Sequence, residues 1–305
     1  MRLHELGSSG LRVSRVGLGC NNFGRRLDLE GARAVVDAAL EVGINFLDTA
    51  DIYGGGDSES FLGEVLAGRR DQVVLATKFG MGGEEGTARG SRDYMRRALA
   101  SSLERLRTDY VDLYYYHQPD GVTPIAETVA AMAELVEEGP VRAIGVSNFS
   151  VEQLDEAVEA APVAALQNRY SLLEREAEAD VLPRCAELGV GFIPYFPLAS
   201  GLLTGKYSRG QPAPPGTRLE GSDVLTDEAF DEIERLEEFA SARGHTLLEL
   251  AIAGLASQPA VVSVIAGATK PEQVRSNAAA GDWELGEDDL RELSELGRGR
   301  AATGR

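Results

Sequence analysis

Four residues in this 305-residue chain have side chains suited to joint chemistry: Asp48, Tyr53, Lys78 and His117. Asp48 closes the apolar run Ile44-Asn45-Phe46-Leu47, and Tyr53 follows five positions later, directly before three glycines. Lys78 ends "VVLATK", and His117 ends "VDLYYYH". A carboxylate at the exit of a buried strand loses hydration and needs a partner. Lys78 is the predicted partner, because either charge buried alone would be costly. A tyrosine hydroxyl, with an unperturbed pKa of about 10, can donate its proton to a developing alkoxide. A lysine beside it favours the phenolate and lowers that pKa. An imidazole at His117 could hydrogen-bond the carbonyl oxygen and orient it. The chemistry such a set supports is carbonyl reduction.

Taken singly, each residue has a plainer reading. Asp48 could cap a helix, Lys78 could be a solvated strand end, Tyr53 could be packing, and His117 could be a satisfied core histidine. Their occurrence at consecutive strand ends is what argues for a site. Short β-rich runs at 16–19, 44–49, 73–78, 111–117, 142–147, 163–168, 191–196 and 261–267 alternate with amphipathic stretches. Those stretches are 28–42, 58–67, 91–107, 124–138, 150–160, 175–189, 227–242, 246–257 and 271–280. Many of the connections end in Gly just before a strand, as in "EVGINF" and "ELGVGF", consistent with helix C-caps.

Eight strands, each followed by a helix, predict a (β/α)₈ TIM barrel, with polar residues at the C-terminal strand ends facing the active site. The pattern at 227–242 is an extra helix, 286–297 is a decorating tail, and 208–222 is a long loop after the seventh strand. "RLHELGSSGLRVSRV" reads as a hairpin around Ser8-Ser9-Gly10 that covers the barrel bottom. No linker divides the chain, so residues 1–305 are expected to form one domain. A doubly wound sheet is the runner-up, but no GxGxxG follows the first strand.

Composition narrows the functional classes. A net charge of −19 opposes binding to nucleic acid or anionic lipid. No apolar run reaches membrane-spanning length, and "MRLHELGSSG" lacks a secretory signal. Cys20 and Cys185 form no CxxC pair, so neither a disulfide scaffold nor a metal site is expected. The expectation is a cytoplasmic protein, monomeric or homo-oligomeric, acting on a small molecule.

The stretches "FLDTADIYG", "LATK", "YYYHQPD", "IGVSNFS", "LQNRYSLLER", "YFPLASGLLTGKY" and "GATKPEQVRSN" run in order through residues 44–277. On these the chain resembles the aldo-keto reductase family. The resemblance implies a TIM barrel, an Asp-Tyr-Lys-His tetrad at Asp48, Tyr53, Lys78 and His117, and hydride transfer from a nicotinamide cofactor held without a Rossmann motif.

The resemblance also implies cofactor contacts. Ser147, Asn148 and Gln167 match groups that hydrogen-bond the carboxamide. Tyr195 matches the aromatic on which the nicotinamide ring stacks. Phe196, Pro197, Leu198, Ala199 and Ser200 match a loop that wraps the pyrophosphate, with Lys206 supplying charge. Gly267, Thr269, Lys270, Gln273 and Asn277 fall where the adenosine end is gripped, at a helix start suited to phosphate. Gly267 and Gln273 stand where some members carry a lysine and an arginine, and Ala266 where proline is common. Lys270 and Arg218 could compensate, so the cofactor expected is NADP(H), with NAD(H) possible.

The expected activity is NADPH-dependent reduction of aldehydes and ketones. The family includes potassium-channel β subunits, so the alternative is a cofactor-sensing module with little turnover. A third reading makes Lys78 a Schiff-base lysine. The substrate pocket is expected from Asn21, Phe23, Tyr53 and the loops 80–90 and 118–122. The Gly-rich "MGGEEGTARG" is expected to move when no ligand is bound.

Overall fold

The structure, a computed structural model, describes residues 1–82 and 86–298. An N-terminal hairpin pairs β1 (Leu3–Glu5) antiparallel with β2 (Arg12–Ser14). The barrel strands are β3 (Val16–Gly19), β4 (Phe46–Asp48), β5 (Val74–Phe79), β6 (Val111–Tyr116), β7 (Val141–Ser147), β8 (Ala165–Arg169), β9 (Gly191–Tyr195) and β10 (Val264–Gly267). They pair in parallel in that order, and β10 lies beside β3. Between β9 and β10 the ring closes through the Phe192–Val261 bridge and bonds to Ala260 and Val262. This is the expected (β/α)₈ architecture.

The outer layer contains α1 (Leu29–Glu41), α2 (Asp57–Val65), α3 (Arg92–Leu106), α4 (Ile125–Glu138), α5 (Val151–Ala160), α6 (Val181–Leu188), α7 (Asp227–Ser241), α8 (Leu247–Ala256), α9 (Pro271–Ala280) and α10 (Glu287–Arg298). The chain enters several of them through side-chain caps. Asp28, Ser150, Thr226 and Thr246 each accept a backbone N–H of the first turn, and Ser150 and Thr246 complete capping boxes. The stretch expected as one helix over 175–189 is divided. A 3₁₀ turn covers Glu176–Glu178, Asp180 leaves helical geometry at φ −144°, and its carboxylate caps the start of α6.

Two-residue alternation along the strands decides which side chains meet. Phe46, Val74, Ala76, Leu113, Tyr115, Ala143, Ala165, Ile193 and Ile265 form one buried cluster inside the barrel. Leu6 and Val13 of the hairpin join it, so the hairpin plugs the bottom as expected. The intervening residues, among them Leu47, Leu75, Tyr114 and Tyr116, pack outward beneath the helices, where Phe79 stacks on both tyrosines. Gly145 leaves room for Tyr115, since a Cβ there would stand 2.5 Å from the ring. Two residues beyond Phe46, Ala76 and Tyr115, the inward positions are Asp48, Lys78 and His117. The lumen register therefore brings three of the four sequence-predicted residues to one place.

Candidate active site

Lys78 is fully buried and donates to Asp48 Oδ1 at 2.6 Å and to the Thr49 carbonyl at 2.7 Å. Gln167 Nε2 donates to the other Asp48 oxygen at 2.8 Å. Asp48 is thus paired with Lys78, as its position at a buried strand exit requires.

Tyr53 begins a 3₁₀ turn, Tyr53–Gly56, after β4. Its φ values of 61°, 69° and 103° at Gly54, Gly55 and Gly56 lie in the left-handed region that glycine adopts without strain. The turn is fastened below by Thr49 Oγ1 against Ser58 Oγ and by Ser58 donating to the Cys20 carbonyl. This folds Tyr53 back over the lumen, with Lys78 Nζ 5.1 Å from its ring centroid and the His117 ring edge-on at 6.1 Å.

The electrostatics refine one expectation. Burial raises the Tyr53 pKa, and Lys78 opposes that rise through its charge and a hydrogen bond without reversing it. The lysine was expected to bring the value below that of free tyrosine. With the ring enclosed, desolvation outweighs it. Burial alone would lower Lys78, but Asp48 and Tyr53 hold it above its ordinary value, so it is an ammonium. Burial, aided by Lys78, pulls His117 down to about 3, so at neutral pH it is an uncharged imidazole. Its Nδ1 is buried and has no hydrogen-bond partner in the protein. Burial pushes the Cys20 thiol well up, which removes it as a nucleophile.

These groups open into a cavity of about 660 Å³ at the C-terminal face. Its walls include Ser147, Asn148, Gln167, Tyr195, Phe196, Pro197, Leu198, Ser200, Lys206, Arg218, Gly267, Thr269, Gln273 and Asn277. Of the cofactor contacts expected from sequence, Ala199 and Lys270 do not line it. Ala199 is buried beneath the loop, and Lys270 is exposed at the N-cap of α9. Gln273 lines the cavity, but its Oε1 accepts from Thr269 N–H at 2.7 Å.

Ser147, Asn148 and Tyr195 form a chain. Ser147 Oγ donates to the Gln167 carbonyl, Asn148 Nδ2 donates to the His117 carbonyl, and the Tyr195 hydroxyl donates to Asn148 Oδ1 at 2.6 Å. Over this chain runs the loop after β9. Arg209 anchors it to Asp227, Asp231 and Glu234 on α7, and Arg218 reaches Asn22 Oδ1 at 3.3 Å.

A nicotinamide dinucleotide fits what these residues offer. The cavity is elongated by lining from β3 round to α9 and carries an aromatic wall at Tyr195. Lys206 and Arg218 supply positive charge in a strongly acidic chain. Phe196, Ala199 and Ser200 have φ of 56°, 45° and 58°, strained values that curl the loop around the cavity.

Sequence reasoning missed Asn22, Arg25 and Arg26, which line the cavity from the loop between β3 and α1. The adjacent arginines were the only available signal. Of the expected substrate walls, Asn21, Tyr53 and Met81 line the cavity. Phe23 is instead fully buried in the core, and residues 118–122 stand outside the lining. Residues 83–85 of the Gly-rich segment lie outside the described residues. No group of three or more metal-ligating side chains occurs among the described residues, and none of their helices is long and apolar enough to cross a membrane.

Comparison with known proteins gives a consistent result. A model of the aldo/keto reductase family matches residues 15–298. The chain is 39% identical over 301 residues to a probable voltage-gated potassium channel subunit beta of Oryza sativa subsp. japonica, covering 92% of each. It is 34% identical to the aldo-keto reductase YhdN of Bacillus subtilis, over 97% of this chain and 93% of that one. Among solved structures, the holo form of aldo-keto reductase AKR11C1 from Bacillus halodurans matches with a TM-score of 0.83 at 34% identity, over 97% and 96% of the two chains. The glycerol dehydrogenase AKR11B4 from Gluconobacter oxydans matches with a TM-score of 0.85 at 30% identity, over 99% and 96%.

Proposed function

Since the chain belongs to the aldo/keto reductase family and is an oxidoreductase, we propose that it reduces aldehydes and ketones to alcohols with NADPH, using Tyr53 as general acid. The observation that carries this reading is Tyr53 beside a charged Lys78, with the uncharged His117 ring edge-on to its own, at the wall of one cavity.

When bound, the reduced nicotinamide supplies the hydride. The chain's own residues do the rest. His117, neutral and lacking a protein partner at Nδ1, is suited to hydrogen-bond the substrate oxygen and direct its carbonyl carbon inward. Tyr53 keeps its proton because burial raises its pKa, so the donor is loaded throughout the neutral range. As negative charge grows on the substrate oxygen, the Tyr53 proton moves to it, and Lys78 stabilises the phenolate left behind. Asp48 keeps Lys78 charged and fixed for that step. Ser147, Asn148 and Gln167 would hold the carboxamide, Tyr195 would support the ring, and Lys206 and Arg218 would meet the phosphates. With Gly267 and Gln273 uncharged and Lys270 outside the lining, NADPH is preferred over NADH only modestly.

The charged state of Lys78 argues against a Schiff-base mechanism, which needs a free amine. The similarity to a potassium-channel β subunit favours one second reading, a cofactor-binding module with little turnover. The test is an initial-rate screen of aldehydes, ketones and sugars with NADPH and NADH in parallel. Turnover of reactive aromatic aldehydes with NADPH supports the reductase. Tight NADPH binding without turnover across the panel supports the module.

A further inference from the structure

Arginines in this acid-rich chain are mostly neutralised by carboxylates. Arg69, Arg70, Arg96, Arg105, Arg175 and Arg243, for example, each make ion pairs. Arg25 and Arg26 do not. Among the described residues neither has a carboxylate within ion-pairing distance, yet both line the cavity. Their charges are felt by Arg218 across the mouth, so three guanidiniums converge there, with Asp28 and Asp57 lining a groove behind Arg25 and Arg26. The carboxylates on the same lining are Asp48, already taken by Lys78, and Glu272 on α9. Like charges gathered at a cavity rim raise the local concentration of anions there.

Backbone packing brings the loop that carries Arg25 against the loop that carries Tyr53. The loop that carries it crosses the Tyr53 loop in direct contact: a Cβ on Gly54 would lie 2.6 Å from the Phe23 carbonyl oxygen and 2.9 Å from the Gly24 Cα. Arg25 therefore follows immediately after the point of contact, and Tyr53 immediately precedes it. Met81 and His117 line the same cavity. The phosphate-binding groups assigned above, Lys206 and Arg218, come from the loop after β9 instead.

We propose that Arg25, supported by Arg26, selects carbonyl substrates carrying an anionic group, carboxylate or phosphate, at the end remote from the reacting carbonyl. This rests on the reductase reading of the same site. A guanidinium fork pairs with either anion through two parallel hydrogen bonds, so it reads charge and shape together. The contact lies away from the reacting atoms. It binds ground and transition states alike and acts on KM rather than kcat.

The test compares 4-carboxybenzaldehyde with its neutral methyl ester, methyl 4-formylbenzoate, under NADPH, in the unmodified protein and in the double variant Arg25→Ala/Arg26→Ala. The unmodified protein should turn over both and favour the acid in kcat/KM. The double variant should lose about 10-fold or more on the acid, mostly in KM, while the ester stays within about 2-fold. Repeating the assay with glyceraldehyde 3-phosphate and glyceraldehyde separates phosphate from carboxylate selection. The acid advantage should shrink as salt rises, because the arginines are exposed. Equal losses on acid and ester, with weakened NADPH binding, would assign the arginines to a cofactor phosphate and overturn the proposal. So would an unmodified protein with no preference for either acid or phosphate. A protein that turns over neither aldehyde contradicts the reductase reading itself, a separate outcome from these.

Discussion

Lys78 and Asp48 meet at 2.6 Å with side chains 0% and 3% exposed, an ion pair lying at the centre of the barrel mouth. Asp48→Asn preserves the shape and can still accept from Gln167, but it removes the charge and turns an amide N–H toward the Lys78 ammonium. The buried ammonium is left without its counter-charge, and a loss of about 3–5 kcal/mol in stability is expected at neutral pH. Asp48 is what raises Lys78 above its ordinary value, so the stabilisation is present below the unfolded-state value near pH 10.4 and fades only above it. Urea unfolding at pH 7 checks this, and a loss below about 1 kcal/mol contradicts it.

Asp51 offers a test with the opposite pH sense. It sits beneath the Tyr53 turn, where Oδ1 is buried without a hydrogen-bond partner. Burial and the charge of Glu59 raise its pKa to about 7, against the opposing pull of Arg105 and Lys78. A carboxyl raised above its unfolded value favours the fold when protonated. That contribution is full below about pH 4 and is lost as pH rises through about 7. Between pH 5 and 8.5 the natural protein should lose on the order of 2 kcal/mol relative to Asp51→Asn, allowing for partial screening. Thermal melts across that range read the difference in slope, and parallel slopes contradict it.

Cofactor grip should follow the cavity lining rather than the sequence positions of basic residues. Arg218 lines the cavity and is half-buried, whereas Lys270 is exposed outside the lining. Arg218→Ala is expected to raise the NADPH dissociation constant by about 10- to 100-fold, the loss of one charge-assisted contact. Lys270→Ala should change it by less than about 3-fold, as expected of a solvated charge. Fluorescence titration of NADPH measures both, and the reverse ranking contradicts the arrangement.

The catalytic candidates were legible because strand periodicity transmits directly into space. Phe46-to-Asp48, Ala76-to-Lys78 and Tyr115-to-His117 are each two residues apart, so a parallel barrel has only one place to put all three polar ends. Tyr53 could be placed because the three glycines after it permit the left-handed turn that carries it over the barrel mouth. Phe23 was misjudged for a related reason. An aromatic in a polar loop reads as a pocket wall, but here it closes the core beneath the loop. Arg25 and Arg26 could not be assigned at all. Their place at the cavity mouth across from Arg218 is something only the folded chain reveals. The break before α6 was likewise hidden, since Asp180 departs from helical geometry at a position where the amphipathic pattern continues.

The general-acid role of Tyr53 is the central claim, and Tyr53→Phe tests it most directly. The variant keeps the ring that packs beside His117 and lies 5.1 Å from Lys78 Nζ, and it removes only the hydroxyl. The measurement is the single-turnover rate of NADPH oxidation with a reactive aromatic aldehyde, alongside an NADPH binding titration on the same sample. The expected result is a rate lowered by about 10²- to 10⁴-fold, with the NADPH dissociation constant within about 2-fold of the natural protein's. A variant that retains its hydride-transfer rate within about 3-fold would contradict the assignment and move the proton donor elsewhere in the cavity.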